Sequence, residues 1–169
     1  MTSFSLRSLR LRPGEEYRDA KEVELQPLVL GGQRYLPVPD KVDADLLVSR
    51  VSSGTVFELR YSARLHGPCY RCLSDAVLDV SVSAREYQAT SPGESDELRT
   101  PYLADDQLDL SAWARDALVL ALPDQILCRL DCAGLCPVCG ADLNIQPHEH
   151  DDQELDSRWA ALSELRDRL

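Results

Sequence analysis

The run Ala76-Val-Leu-Asp-Val-Ser-Val-Ser-Ala-Arg-Glu-Tyr87 decides the fold. Ala76, Leu78, Val80, Val82 and Ala84 occupy every second position, with Asp79, Ser81, Ser83 and Arg85 between them. A period of two places one set on a core and the other in water, so the run predicts a half-buried β-strand. Thr55–Leu65 alternates in the same way and predicts its antiparallel neighbour. Gly67-Pro68 supports a tight turn at the start of the connection that holds Cys69-Tyr-Arg-Cys72. Further upstream, Leu46–Val51 and the turn signal Ser52-Ser53-Gly54 predict a hairpin leading into Thr55. Glu22–Leu30 reads as another short strand, and alternation in Phe4-Ser5-Leu6-Arg7 predicts one at the N-terminus.

Residues 1–89 are thus predicted to be the β-rich part of a single domain, containing the Cys-x-Arg-Cys box. Residues 90–107, polar and acidic around Ser91-Pro92-Gly93, read as a loop. Residues 108–169 read as a helical part with a Cys/His cluster. Asp109 or Ser111 can cap a helix that runs to about Leu122, with Leu110, Trp113, Ala117, Leu120 and Ala121 near one face and Pro123 as its stop. A last helix is predicted over Ser157–Arg168, capped by Asp156 and presenting Trp159, Leu162, Leu165 and Leu169 at helical spacing. The fold class is α+β: an antiparallel β-rich N-terminal part, then helices and a small C-terminal zinc knuckle.

A chain of 169 residues can bury a core of its own. No apolar run reaches the roughly 18 residues of a spanning helix, and the N-terminus has no apolar signal stretch, so a cytoplasmic location is predicted. Met1 to Pro13 holds Arg7, Arg10, Arg12 and three serines without an acid, which resembles a transit peptide, but a strand and turn accounts for it. Charge is unevenly spread. Residues 1–85 carry twelve Lys/Arg against eleven Asp/Glu, whereas residues 86–169 carry six against eighteen, within a formal net charge of −11. The second half should repel phosphate backbones, so RNA contact is expected only in the first half, from Arg60, Arg64, His66 and Arg71 and from Arg7, Arg10 and Arg12.

Cys128, Cys132, Cys136 and Cys139 fall within 23 residues of a chain with six cysteines, and His148-Glu-His150 closes that stretch. Three disulfides would suit a small secreted chain without a core, and this chain is neither. Cys136-Pro-Val-Cys139-Gly140 has the spacing of a zinc knuckle, in which two thiols face one ion. Two further ligands would complete a tetrahedron, either Cys128 with Cys132 or His148 with His150. Four of these six are expected to hold a structural zinc. Cys69-Tyr-Arg-Cys72 has three readings: half of a ribbon with Cys136 and Cys139, a local turn carrying a functional Arg71, or two buried cysteines. Neither a G-x-S-x-G elbow nor a G-x-x-x-x-G-K loop occurs. Thiolate ligation also blunts Lewis acidity, so an enzyme is not expected.

Over nearly its whole length the chain resembles the bacterial and plastid YceD proteins, described as 23S rRNA accumulation proteins. The resemblance is carried by Cys69-Tyr-Arg-Cys72-Leu73, by the acidic loop, and by the helix leading into Ala121-Leu122-Pro123. It continues through Cys132-x-Gly134-Leu135-Cys136-Pro137-x-Cys139-Gly140 and Asp156-x-Arg158-Trp159, and is greatest with actinobacterial members. Many relatives have Cys-x-Cys in place of His148-Glu-His150, a swap that keeps ligands and favours Cys136, Cys139, His148 and His150 as one set. Others lack the C-terminal cluster but keep the box, which weighs against the ribbon. Ser157 stands where Asp-Pro-Arg is usual, which a first helical turn tolerates. The resemblance implies a non-enzymatic role in 23S rRNA synthesis, processing or accumulation, with rRNA or an rRNA-processing enzyme as partner. Frequent encoding beside a zinc-bearing large-subunit ribosomal protein implies an alternative, an acidic zinc-stapled module for a basic ribosomal protein without RNA contact.

Overall fold

A computed structural model describes residues 2–91 and 98–150. Two antiparallel sheets and one α-helix make up the regular structure of the described residues, apart from a short 3-10 turn at Leu6–Ser8. The centre is the hairpin of β6 (Gly54–Pro68) and β7 (Asp75–Ala89), paired residue for residue from Gly54 opposite Ala89 to Pro68 opposite Asp75. Alternation is the cause. Phe57, Leu59, Tyr61, Ala63 and Leu65 of β6 face inward with Val80 and Val82 of β7, while Arg60, Ser62, Arg64, Ser81 and Ser83 face water.

Two neighbours share the other edge of β6. β5 (Lys41–Arg50) pairs along its first half and β4 (Gln33–Pro37) along its end, with β2 (Glu16–Glu24) outside β5 and β3 (Leu28–Leu30) outside β4. The segment read as one strand over Glu22–Leu30 is therefore two. Pro27 has no amide to donate, the ladder stops at Glu24, and the Leu25 amide turns to the Asp40 carbonyl at 2.7 Å. β5 starts earlier than the Leu46–Val51 run suggests, because Val42 and Ala44 already alternate inward.

The second sheet joins distant parts of the chain. β1 (Ser3–Ser5) pairs with β9 (Gln107–Asp109), which pairs with β8 (Leu103–Ala104), so two short strands lie inside or beside the stretch read as a loop. β1 ends where Leu6–Ser8 makes its 3-10 turn, earlier than alternation alone predicts. α1 (Leu110–Ala121) begins at Asp109, whose side chain accepts the Ala112 amide at 3.0 Å. It buries Leu110, Trp113, Ala114, Ala117 and Leu118 against β7, β2 and β1. Each large apolar side chain so buried contributes about 1.5–3 kcal/mol. Tyr61 of β6 donates to the Ala114 carbonyl at 2.5 Å, fixing helix to sheet inside the core. From Leu122 to His150 the described chain is turns and one bridge, not helix. The helix read over Ser157–Arg168 lies outside the described residues. No helix of the described residues is long and apolar enough to cross a membrane.

Candidate metal centres

Both Cys-x-x-Cys segments fold into the same turn. In the box, which links β6 to β7, the Leu73 amide donates to the Cys69 carbonyl at 3.0 Å; in the knuckle, the Gly140 amide donates to the Cys136 carbonyl at 2.9 Å. The residue after the second cysteine is left-handed in each, with φ of 63° at Leu73 and 75° at Gly140. Glycine meets that requirement without strain, and leucine does not. This turn points two thiols to one side and turns backbone N–H groups toward sulfur.

The knuckle is closed by further backbone bonds. The Cys136 amide donates to the Ala141 carbonyl at 2.8 Å, Leu135 bridges Asp142, and the Leu143 amide donates to the Gly134 carbonyl at 3.0 Å. Ligand atoms of Cys136, Cys139, His148 and His150 then lie within 4.8 Å of one another. Cys139 Sγ is 3.2 Å from His148 Nε2, which is 3.1 Å from His150 Nε2. A tetrahedral zinc has S···N and N···N edges of about 3.5 and 3.3 Å, so these donors sit within a few tenths of an ångström of that geometry. His148 Nδ1 lies 2.8 Å from the Gln146 carbonyl, a partner that leaves Nε2 as the ligand nitrogen. That carbonyl, followed by the Cys136 sulfur, raises the His148 pKa above its ordinary value. The Cys139 amide lowers the Cys136 thiol to about 6 against the opposing effect of burial, helped by the Val138 amide, Cys139 and His148.

Cys128 and Cys132 do not join that group. They face the box, so that Cys69, Cys72, Cys128 and Cys132 form a second group, also within 4.8 Å. Cys69 Sγ is 3.8 Å from Cys132 Sγ and Cys72 Sγ is 3.6 Å from Cys128 Sγ, and all six thiols are unbonded. Burial raises the Cys69 pKa, but the amides of Cys72, Cys128 and Arg71 and the Cys72 thiol outweigh it and bring the thiol down to about 6. Cys128 goes the other way, up to about 12, through desolvation of its sulfur and then through Cys72, Cys132 and Cys69.

The segments that supply these cysteines are tied together. The Tyr70 amide donates to the Ile126 carbonyl at 2.8 Å, Arg71 Nη1 to the Cys132 carbonyl at 3.0 Å, and the Leu135 amide to the Arg71 carbonyl at 3.2 Å. Arg71 also reaches Gln125 Oε1 at 3.4 Å. Asn144 donates to Cys132 Sγ at 3.5 Å and accepts from Arg129 and the Ala133 amide, linking the two groups of ligands.

The other arginines singled out by the sequence are elsewhere. Arg64 makes a two-pronged pair with Asp79 at 2.7 and 3.1 Å, and Arg60 pairs with Glu58 at 3.1 Å; both lie on the solvent face of the β6–β7 hairpin. Arg7 bonds to the Asp105 carbonyl and pairs with Asp106. Sequence reasoning did not identify the partnership of the box with Cys128 and Cys132. The signal was that six cysteines with His148 and His150 make eight ligands, enough for two tetrahedral sites, but spacing ranks only neighbours along the chain.

Residues 57–166 match the sequence model of the family described as large ribosomal RNA subunit accumulation protein YceD. An uncharacterized protein of Mycobacterium tuberculosis is 37% identical over 129 residues, which cover 73% of this chain and 61% of that protein. An uncharacterized protein of Mycobacterium leprae is 32% identical over 130 residues, covering 73% of this chain and 58% of that protein. The uncharacterized protein YlbN of Bacillus subtilis is 27% identical over 169 residues, 96% of this chain and 95% of its own length. The chain spans about three-fifths of the mycobacterial relatives it matches. No solved structure matches it significantly.

Proposed function

Because the chain belongs to the YceD family, we propose that it is a non-enzymatic, cytoplasmic ribosome biogenesis factor acting in the synthesis, processing or accumulation of 23S rRNA. The observation that carries this reading is the family match itself, which runs from β6 through the box, α1 and both groups of ligands. The geometry is compatible with it. Four-ligand Cys/His groups leave no position for water on a metal, so they suit a scaffold better than hydrolysis. Cys136, Cys139, His148 and His150 would hold a structural zinc that shapes the acidic part of the chain.

A specific observation favours a protein partner over direct RNA contact. Arg64 is paired with Asp79, Arg60 shares Glu58 with Arg85, and Arg71 is used within the fold. Residues 86–169, with eighteen acids against six bases, suit a basic ribosomal protein, for which opposite charge speeds encounter.

Crosslinking and co-purification from growing cells, with bound RNA sequenced and bound proteins identified, tests the role. Recovery of large-subunit precursors or proteins is expected, and recovery of neither overturns it. Within that result, Arg64→Glu separates the two modes: RNA crosslinks lost with this variant mean direct contact, and crosslinks unchanged mean an adaptor.

A further inference from the structure

We propose that Cys69, Cys72, Cys128 and Cys132 form a second, independent zinc site, a closed tetrathiolate that fastens the tip of the β6–β7 hairpin to the segment after α1. The first support is metric. With a Zn–S distance of about 2.3 Å, the edge of a tetrahedron is about 3.8 Å. The S···S separations of 3.8 Å for Cys69 and Cys132 and 3.6 Å for Cys72 and Cys128 fall on that edge. Thiols packed as small apolar residues have no reason to converge four at a time within 4.8 Å of one another.

The second support is how the site is held. Its sulfurs come from two segments whose paired cysteines are 56 and 63 residues apart, and three backbone-directed bonds register these segments: Tyr70 to Ile126, Arg71 to Cys132 and Leu135 to Arg71. Arg71 brings a guanidinium to a group that carries net negative charge once four thiolates surround one divalent ion. The Asn144 amide donates to Cys132 Sγ, the outer-shell contact that orients a ligating sulfur.

Four sulfur donors select zinc over the oxygen-seeking magnesium and calcium. Binding displaces to solvent the protons that the thiols still hold, and needs no oxidant. The two sites also differ in environment. Cys69, Cys72 and Cys132 are buried, whereas Cys139, His148 and His150 are exposed. The tetrathiolate is therefore the retained ion and the Cys/His site the exchangeable one. This inference does not depend on the ribosomal role.

The test is zinc per chain by native mass spectrometry on the full-length protein purified without chelator. Two ions are expected, with one lost on brief chelation. Cys72→Ser with Cys128→Ser should remove one ion, and His148→Ala with His150→Ala the other. Because the cysteine variant could fail to fold, the wild-type protein exchanged with cadmium-113 supplies a second reading by NMR. It should give two resonances, one in the downfield all-sulfur range and one moved upfield by nitrogen ligands. No resonance in the all-sulfur range, an ion count unchanged in the variant with Cys72→Ser and Cys128→Ser, iron in place of zinc, or a mass lower by two hydrogens for each cysteine pair, as disulfides would give, overturns the proposal.

Discussion

Arg71 holds the chain at Cys132 and three residues beyond it: its Nη1 donates to the Cys132 carbonyl at 3.0 Å, and its own carbonyl accepts the Leu135 amide at 3.2 Å. The arginine of the box is thereby a positioning residue for the segment that carries Cys128 and Cys132. Truncation removes a charged hydrogen bond from a partly buried carbonyl, a loss of about 1.5–3 kcal/mol. Arg71→Ala should lower the denaturant midpoint accordingly and speed zinc loss, and Arg71→Lys, which keeps charge without the planar fork, should fall between. Arg60→Ala, whose pair with Glu58 is at the surface, should change stability by no more than about 1 kcal/mol. Equal losses in Arg71→Ala and Arg60→Ala would remove Arg71 from this role.

Leu73 has φ of 63° and is 57% exposed, whereas Gly140 fills the matching place in the knuckle at 75°. Left-handed backbone costs a leucine about 1–2 kcal/mol, partly offset in a glycine variant by a more flexible unfolded chain. Leu73→Gly should therefore raise stability by about 0.5–1 kcal/mol, read as a higher melting temperature with zinc content unchanged. The reciprocal Gly140→Leu should lower it. A drop in stability for Leu73→Gly would show that this exposed side chain makes contacts that outweigh its backbone strain.

Much of this architecture is legible in the sequence where a period of two persists. Ala76–Tyr87 and Thr55–Leu65 announce β7 and β6 because five successive alternate positions of each, 76 to 84 and 57 to 65, are apolar. Asp109 and Pro123 bracket α1 for equally local reasons, a carboxylate that can accept an N-terminal amide and a ring that cannot continue a helix. β8 and β9 are too short to show a period, and they exist because β1 arrives from a hundred residues away to pair with β9. The same limit governs the metal ligands. Cys136, Cys139, His148 and His150 are close in sequence, so spacing and the Cys-x-Cys of relatives favour them as a set. Cys69 meets Cys132 only through the sheet and helix between them, and no local pattern encodes that meeting.

Gly67 lies where the end of β6 passes Tyr35 of β4. A Cβ at this position would overlap Tyr35 Cδ1, and the ring has little freedom to yield, since Tyr35 is buried and its hydroxyl bonds to the Pro68 carbonyl and to Gln33, each at 3.0 Å. Overpacking of this kind costs about 1–3 kcal/mol. Gly67→Ala should lower the melting temperature, and the double variant Gly67→Ala with Tyr35→Ala should be less destabilised than the sum of the two single changes. Strict additivity would show that the ring is not the obstacle.

His148 and His150 approach through Nε2 and lie 3.1 Å apart, so each can be exchanged for another single-atom donor without altering the Cys136–Cys139 turn. Replacing both with cysteine should preserve one ion at this place and convert its cobalt spectrum to stronger sulfur-to-metal charge transfer. His148→Ala should lose that ion, and because this segment is turns joined by a few backbone bonds, its loss should free residues around 134–150 while the β6–β7 sheet keeps its amide protection. Hydrogen exchange on the zinc-loaded and chelated full-length chain separates the two outcomes. Protection lost only in the knuckle supports a local staple, whereas protection lost across β6 and β7 as well would mean that the exposed site carries the stability of the whole fold.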